Sequence, residues 1–233
     1  MFDPHQKDIL TFDCYGTLID WETGILIALQ PILRSHGVDL DDERTLETYA
    51  EFEAAAERGP YLPYREVLAM CLRNFGERFG FTPGEGELAR FSGSVGDWPA
   101  FPDSADALAA LQRCFKLVVI TNMDDDLFAL SQQRLGVTFD AIITAQQVRS
   151  YKPSLNNFHV ALERLGQPKE HILHVAQSLF HDHVPAKQLG IDTVWVNRRH
   201  DRPGFGATPP ATVQPDMEYP DMRSVAQALC AHR

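Results

Sequence analysis

The sequence predicts an α/β fold: a parallel sheet covered by helices on both faces, interrupted early by a long all-helical insert. Three observations carry that expectation. Along most of the chain, short apolar runs alternate with amphipathic stretches of about ten residues, and strands linked in that way form parallel sheets. The stretch 23–91 instead carries helical periodicity and little strand signal. Finally, 233 residues with 44% hydrophobic and 23% charged side chains is globular composition, enough for one large domain or a core plus a smaller one.

Ile9-Leu10-Thr11-Phe12 is the first apolar run, a buried strand that delivers Asp13 into a loop where Gly16 permits a sharp turn. Within the insert, Ile25, Leu29 and Ile32, then Tyr49, Phe52 and Ala56, then Val67, Cys71 and Phe75 recur at helical spacing. Gly37, Gly59-Pro60, Pro63 and Gly80 punctuate them. A helix over 106–115 precedes a second strand, Leu117–Ile120, which ends at Thr121-Asn122. A helix over 127–135 with Gly136 as its C-cap leads to a third strand at Ala141–Ile143. The helix 156–165 precedes a fourth strand at Ile172–Val175, and the helix 184–189 a fifth at Thr193–Val196. The Pro- and Gly-rich stretch 201–220 reads as surface loop, and 221–231 as a final helix.

Acidic residues number 32 against 21 Lys plus Arg, a formal charge of −11. Such a surface repels nucleic-acid backbones and anionic lipid, so the expected partner is a small molecule, with no nucleic acid and no membrane. The cysteines Cys14, Cys71, Cys114 and Cys230 form no C-x-x-C pair, which argues against a zinc site or a disulfide framework. No basic n-region or apolar h-region marks the N-terminus, so a cytoplasmic location is expected.

In a parallel sheet the ligand site lies beyond the carboxyl ends of the strands. Asp13, Thr121-Asn122, Lys152 and the stretch 176–178 therefore converge on one rim. An Asp there is a candidate nucleophile, a nearby Lys would hold it ionised, and Asn and Thr supply neutral hydrogen-bonding groups.

In order, Phe12-Asp13-Cys14-Tyr15-Gly16-Thr17-Leu18, Ile120-Thr121-Asn122, Tyr151-Lys152-Pro153, and His174-Val175 with Asp182 downstream resemble the haloacid dehalogenase-like hydrolase superfamily. The Asp-x-Tyr-Gly-Thr-Leu run is similar to its L-2-haloacid dehalogenase (type II) branch. The resemblance implies a Rossmann-like core over 1–20 and 95–233 with a helical cap domain over 21–94. It implies an (S)-2-haloacid dehalogenase in which Asp13 attacks carbon, expels halide and forms an aspartyl ester that water hydrolyses. Lys152 would orient Asp13, and Thr17, Thr121 and Asn122 would hold the carboxyl groups of enzyme and substrate. Ser178 and Asp182 would position the water and the Lys152 ammonium, and Tyr15 would border the substrate. No metal or cofactor is implied, and a homodimer is compatible with this layout.

Phosphatases of the superfamily carry a general acid two residues after the nucleophile and an acidic magnesium ligand in the fourth motif. Here those positions are Tyr15 and Gln177, which favours attack on carbon. The dehalogenases also place an Arg on the first cap helices, whereas 48–53 here has no Arg and two acids. Arg65 is the expected replacement for substrate binding, with Arg58 beside it. Ser178 and Asp182 are four apart, a phosphatase-like spacing. A magnesium-dependent phosphatase, a carbon-attacking hydrolase with a non-halogenated and perhaps amine-bearing substrate, and a binder that lost turnover are the alternatives. Asp124-Asp125-Asp126 is expected to stabilise the start of the following helix, with Asp124 facing the pocket as the alternative. Of His174, His181 and His183, one is a candidate base on the ester intermediate.

Overall fold

The first strand lies at the middle of the sheet, which places the residue after it at the centre of one edge. In the computed structural model, which describes residues 6–231, six parallel strands run in the order β3-β2-β1-β4-β5-β6. They are β1 (Ile9–Phe12), β2 (Lys116–Thr121), β3 (Ala141–Thr144), β4 (Ile172–Ala176), β5 (Asp192–Val196) and β6 (Met217–Tyr219). The strand order reverses direction at β1, so the crevice beyond β1 and β4 is the topological switch point. Phe12 pairs with Val119 on one side and Val175 on the other, which fixes Asp13 against the ends of both neighbours.

Alternation along the strands builds two cores. Leu10, Phe12, Leu117, Val119, Leu173 and Val175 face one cluster, which continues into the insert. Ile9, Val118, Ile120 and Ile172 face a second, closed by Phe158 and Ala161 of a covering helix. Burial on both faces explains why these strands read as continuous apolar runs rather than alternating ones.

The insert forms α1 (Trp21–Ser35), α2 (Asp42–Glu57), α3 (Tyr64–Phe79) and α4 (Glu85–Ser92). Asp20 starts α1 by accepting a hydrogen bond from the Thr23 N–H, and Asp41 starts α2 by accepting from the Arg44 N–H. Ile25, Leu29 and Ile32 of α1 and Tyr49 and Phe52 of α2 are buried, as their spacing requires. The chain leaves the sheet and returns to it side by side: Asp20 N–H donates to the Pro99 carbonyl, and Ile19 bridges Ala100. Gly24 of α1 lies flat against Trp98 on the return segment; a β-carbon there would sit 2.3 Å from the indole.

The remaining helices are α5 (Ser104–Leu111), α6 (Asp125–Leu135), α7 (Ala145–Val148), α8 (Leu155–Leu165), α9 (Val184–Gln188) and α10 (Met222–Cys230). Two expectations need correction. The stretch 201–220 is not all loop, because Met217–Tyr219 adds an edge strand to β5. The Asp124 side chain does not cap α6; it accepts from the Tyr64 backbone N–H and the Tyr61 hydroxyl at the start of α3 instead. Among the described residues, no helix is long and apolar enough to cross a membrane.

Candidate active site

A strand that stops at a carboxylate and turns at once must place that carboxylate on the rim. Gly16 makes the turn at φ 91, a conformation only glycine adopts without strain. Its missing side chain also leaves room, since a β-carbon there would lie 3.0 Å from Trp21 Nε1. Asp13 is thereby 6% exposed at the floor of a cavity of about 30 Å³, room for one or two water molecules.

Lys152 comes from the loop after α7 and is 1% exposed. Its ammonium donates to Asp13 Oδ1 at 2.9 Å, Asp182 Oδ1 at 2.7 Å and the Ile120 carbonyl at 2.8 Å, so all three of its protons are used. Burial alone would push that ammonium down, but the Asp13 and Asp182 carboxylates outweigh it and hold Lys152 above the usual lysine range. Burial would likewise raise Asp182, but Lys152 and His174 outweigh it and hold Asp182 well below the usual carboxylate range. Asp13 is raised by burial, an effect Lys152 partly offsets. Thr17 donates to Asp13 Oδ2 at 2.7 Å and accepts from the Gln177 N–H at 2.8 Å, tying β4 to the nucleophile's loop.

Behind Asp182 stands an arrangement that sequence motifs missed. His174, buried in β4, lies 3.0 Å from Asp182 Oδ1 through Nε2 and 2.9 Å from Thr11 Oγ1 through Nδ1. The line Thr11, His174, Asp182, Lys152, Asp13 runs from inside the sheet to its rim. In the sequence His174 stands in the fourth motif and among the candidate bases, whereas Thr11 carries no signal beyond polarity at an inner strand position. Asp182 reaches the rim on one wide helical turn, Leu179–His183, in which the His183 N–H donates to the Ser178 carbonyl. That turn accommodates the four-residue spacing of Ser178 and Asp182.

Asn122 is at the cavity wall; its side chain accepts from the Lys152 N–H at 2.7 Å and donates to the Lys152 carbonyl at 3.0 Å. Ser178 and His181 also border the cavity and lie 3.1 Å apart, Oγ to Nδ1, and burial pushes His181 down to about 4, so its imidazole is neutral. Tyr15 lines the cavity, but its hydroxyl is taken by Ser131 at 2.8 Å. Thr121 is fully buried at the end of β2 and does not line the cavity. Cys14 is fully buried, and burial pushes its thiol up, which suits packing rather than attack.

Arg65 requires a correction. It is 44% exposed in its side chain, pairs with Asp126 at 2.7 Å, and does not reach the cavity, because its position on α3 faces solvent. Arg58 borders two outer cavities and not this one. The insert contributes Glu53 and Glu57 to the ceiling instead. Glu53 accepts the hydroxyls of Tyr49 at 2.9 Å and Tyr64 at 2.5 Å, both on Oε1. Glu57 accepts from Asn122 at 3.2 Å, so a helix of the insert is joined to the rim of the sheet.

A haloacid dehalogenase-like hydrolase family model matches residues 7–190. The chain belongs to that family. Among curated relatives, (S)-2-haloacid dehalogenase 4A of Burkholderia cepacia is 25% identical over 85% of this chain and 86% of its own. Pyrimidine 5'-nucleotidase YjjG of Escherichia coli is 26% identical over 97% of this chain and 99% of its own. Among solved structures, L-2-haloacid dehalogenase from Xanthobacter autotrophicus superposes with a TM-score of 0.78 at 20% identity, covering 96% of this chain and 98% of that one. The protein is a hydrolase of this family with its α/β fold, and its likeness is to the L-2-haloacid dehalogenase branch.

Proposed function

We propose that this hydrolase works by metal-independent attack of the Asp13 carboxylate on a substrate carbon, in the manner of a 2-haloacid dehalogenase. The observation that carries the reading is the buried ion pair of Asp13 and Lys152 at 2.9 Å, in a site whose phosphatase-specific positions are turned to other tasks. Tyr15, two residues after the nucleophile, is hydrogen-bonded to Ser131, and burial pushes its phenol well up, so it delivers no proton to a leaving alcohol. Gln177, at the magnesium-ligand position, does not line the cavity; its carboxamide oxygen lies by Gly16 and Thr208. A neutral amide turned away from Asp13 does not fit a hard cation.

In the first step an Asp13 oxygen forms a bond to carbon, and the leaving group departs with the bonding pair. A halide departs as a stable anion and needs no proton. In the second step water adds to the Asp13 carbonyl carbon. The ester's alkyl–oxygen pair leaves as the product alcohol, which takes one proton of the water, and the other passes to solvent. Lys152 and Thr17 hold Asp13 in place for the first step and polarise its carbonyl for the second. Ser178 and Asp182 border the space where the water must stand, Asp182 positions Lys152, and Asn122 braces the Lys152 backbone. Helices α1–α4 act as a cap closing over the rim, pivoting on the paired segments at Ile19-Asp20 and Pro99-Ala100.

Halide release in excess EDTA from a panel of anionic 2-halocarboxylic acids and of neutral and cationic haloalkanes tests this reading. Release by the wild type that vanishes in Asp13→Asn is expected. The nucleotidase relative and the Ser178–Asp182 spacing favour a second reading, a phosphatase. Hydrolysis of a phosphate monoester that needs magnesium and is silenced by chelator would replace the first reading with that one.

A further inference from the structure

We infer that the cavity over Asp13, whose volume of about 30 Å³ matches an ammonium head rather than a whole substrate, is built to hold a small cationic group, so that the substrate carries a protonated amine gripped by Glu53 and Glu57. For the reaction at carbon this rests on the function proposed above; for binding it stands on the cavity alone.

The first argument is charge. The cavity is lined by the acidic side chains of Asp13, Asp182, Glu53 and Glu57, and by one cationic side chain, Lys152. Lys152 has already given its protons to Asp13, Asp182 and the Ile120 carbonyl, so none remains for a substrate carboxylate. Among the described residues no arginine lines this cavity, and Arg58 and Arg149 border the outer one. An anion placed here would meet carboxylates and no available cation.

The second argument is unmet hydrogen-bonding capacity. Glu53 is 3% exposed, and both tyrosine hydroxyls reach the same oxygen, Oε1. Among the described residues no donor bonds its Oε2. Asp182 Oδ2, fully buried in the cavity wall, also has no partner. A buried carboxylate oxygen left without a donor is costly, and an ammonium would bring N–H groups to Asp182 Oδ2 and to the open Oε2 of Glu53.

The third argument is the surround. Glu53 and Glu57 lie one turn apart on α2, where like charges repel. The rings of Trp21, Tyr15 and Tyr64 complete the wall, and aromatic faces favour a cation. Burial pushes Glu53 up to about 7 and Glu57 well up, Glu57 further through Glu53 itself. A bound ammonium favours the ionised form of both.

The groups facing Glu53 and Glu57 are Tyr49, Tyr64 and Cys71 from α2 and α3, Asn122 and Tyr151 from the rim, and Asp13, Lys152, Asp182 and His181 from below. The three tyrosines and Cys71 are pushed up by burial, Lys152 stays charged, Asp182 stays ionised and His181 is already neutral near pH 7. In an Asp13→Asn protein, Glu53 is therefore the cavity carboxyl that titrates around neutrality, with Glu57 held well above the usual carboxylate range by burial and by Glu53. Both have raised values, so cation affinity must rise with pH.

The test is calorimetric titration of Asp13→Asn with ethylammonium and with propionate at pH 5.5 and 8.5. Ethylammonium should bind at least tenfold tighter at the higher pH. It should lose at least tenfold in Asp13→Asn/Glu57→Gln and in Asp13→Asn/Glu53→Gln, with thermal melts verifying that each is folded. Propionate binding that weakens with rising pH, with no ethylammonium binding, would overturn the inference and make the glutamic acids proton donors to a carboxylate. Ethylammonium affinity unchanged by both glutamine variants would also overturn it. Halide release from 3-chloropropylammonium by the wild type then joins the site to the chemistry. Cation binding with no halide released from cationic or anionic haloalkanes would leave the binding inference standing and sink the carbon-attack reading.

Discussion

Replacing Lys152 with Met keeps much of the length and apolar stem of the side chain and removes its charge together with its three N–H donors. At an effective dielectric of about 20, the pair at 2.9 Å attracts by about 6 kcal/mol, and the pair with Asp182 at 2.7 Å by a similar amount. Desolvation of three buried ions consumes much of this. What remains when one partner is removed is the cost of stranding the others, about 3–5 kcal/mol. For a chain of 233 residues that corresponds to a melting temperature lower by about 6–20 °C. The deficit must depend on pH. In the wild type Asp182 is held below its usual range, so it stabilises at neutral pH and that stability is lost as pH falls. In the variant, Asp13 and Asp182 lose their cation and titrate higher than in the unfolded chain, so their ionisation destabilises increasingly as pH rises. The variant's raised carboxylates make the gap wide at pH 8 and narrow at pH 4, and the wild-type loss from Asp182 narrows it further only below that. Calorimetric melting of both proteins at the two pH values measures it. A gap that is constant, or widest in acid, would refute the electrostatic account of this triad. Turnover should fall on the order of a thousandfold at neutral pH, because the lost cation leaves Asp13 protonated.

Three further outcomes follow from single contacts. Thr17→Val removes a hydrogen bond to the Asp13 carboxylate and strands the Gln177 N–H, so kcat/KM should drop by about 10- to 100-fold. The acid limb of its pH profile should move upward, and Thr17→Ser should restore both. His174→Phe keeps a ring in the same slot but frees Asp182 from its brace, and kcat should fall about tenfold with KM little changed. Gly24→Ala should destabilise by about 1–3 kcal/mol in urea unfolding, because its β-carbon would lie 2.3 Å from Trp98.

The rim was legible because strand ends announce themselves: an apolar run stops at Asp13, at Thr121-Asn122 and near Ser178, and parallel topology does the rest. Edge strand β6 was not, because Met217–Tyr219 is half-exposed, three residues long and flanked by Pro215 and Pro220, so it carries no apolar run. In one dimension Glu53 is one of the two acids in 48–53 that raise the amine-bearing alternative, and nothing marks Glu57. They point inward because they follow Tyr49 at four-residue intervals along α2, on a face that is already core. Arg65 failed in the opposite sense: a cation of the right type in the right segment, on the outer face of α3. Asp124 stabilises a helix start, as an acid there should, but the helix is α3 rather than its own. Which helix a carboxylate serves is a tertiary fact, and so is the hydrogen bond from His174 to Asp182, whose partners come from β4 and the turn after it.

The central claim is that Asp13 itself becomes bonded to substrate carbon. Multiple turnovers in water enriched in oxygen-18, followed by mass analysis of the peptide containing residue 13, test it directly. Water that attacks the Asp13 carbonyl leaves its oxygen in the carboxylate, so the Asp13 peptide must gain label, and the product of the first turnover must carry unlabelled oxygen. Labelled product from the first turnover with an unlabelled Asp13 peptide would mean that water attacks the substrate itself, and would contradict the account.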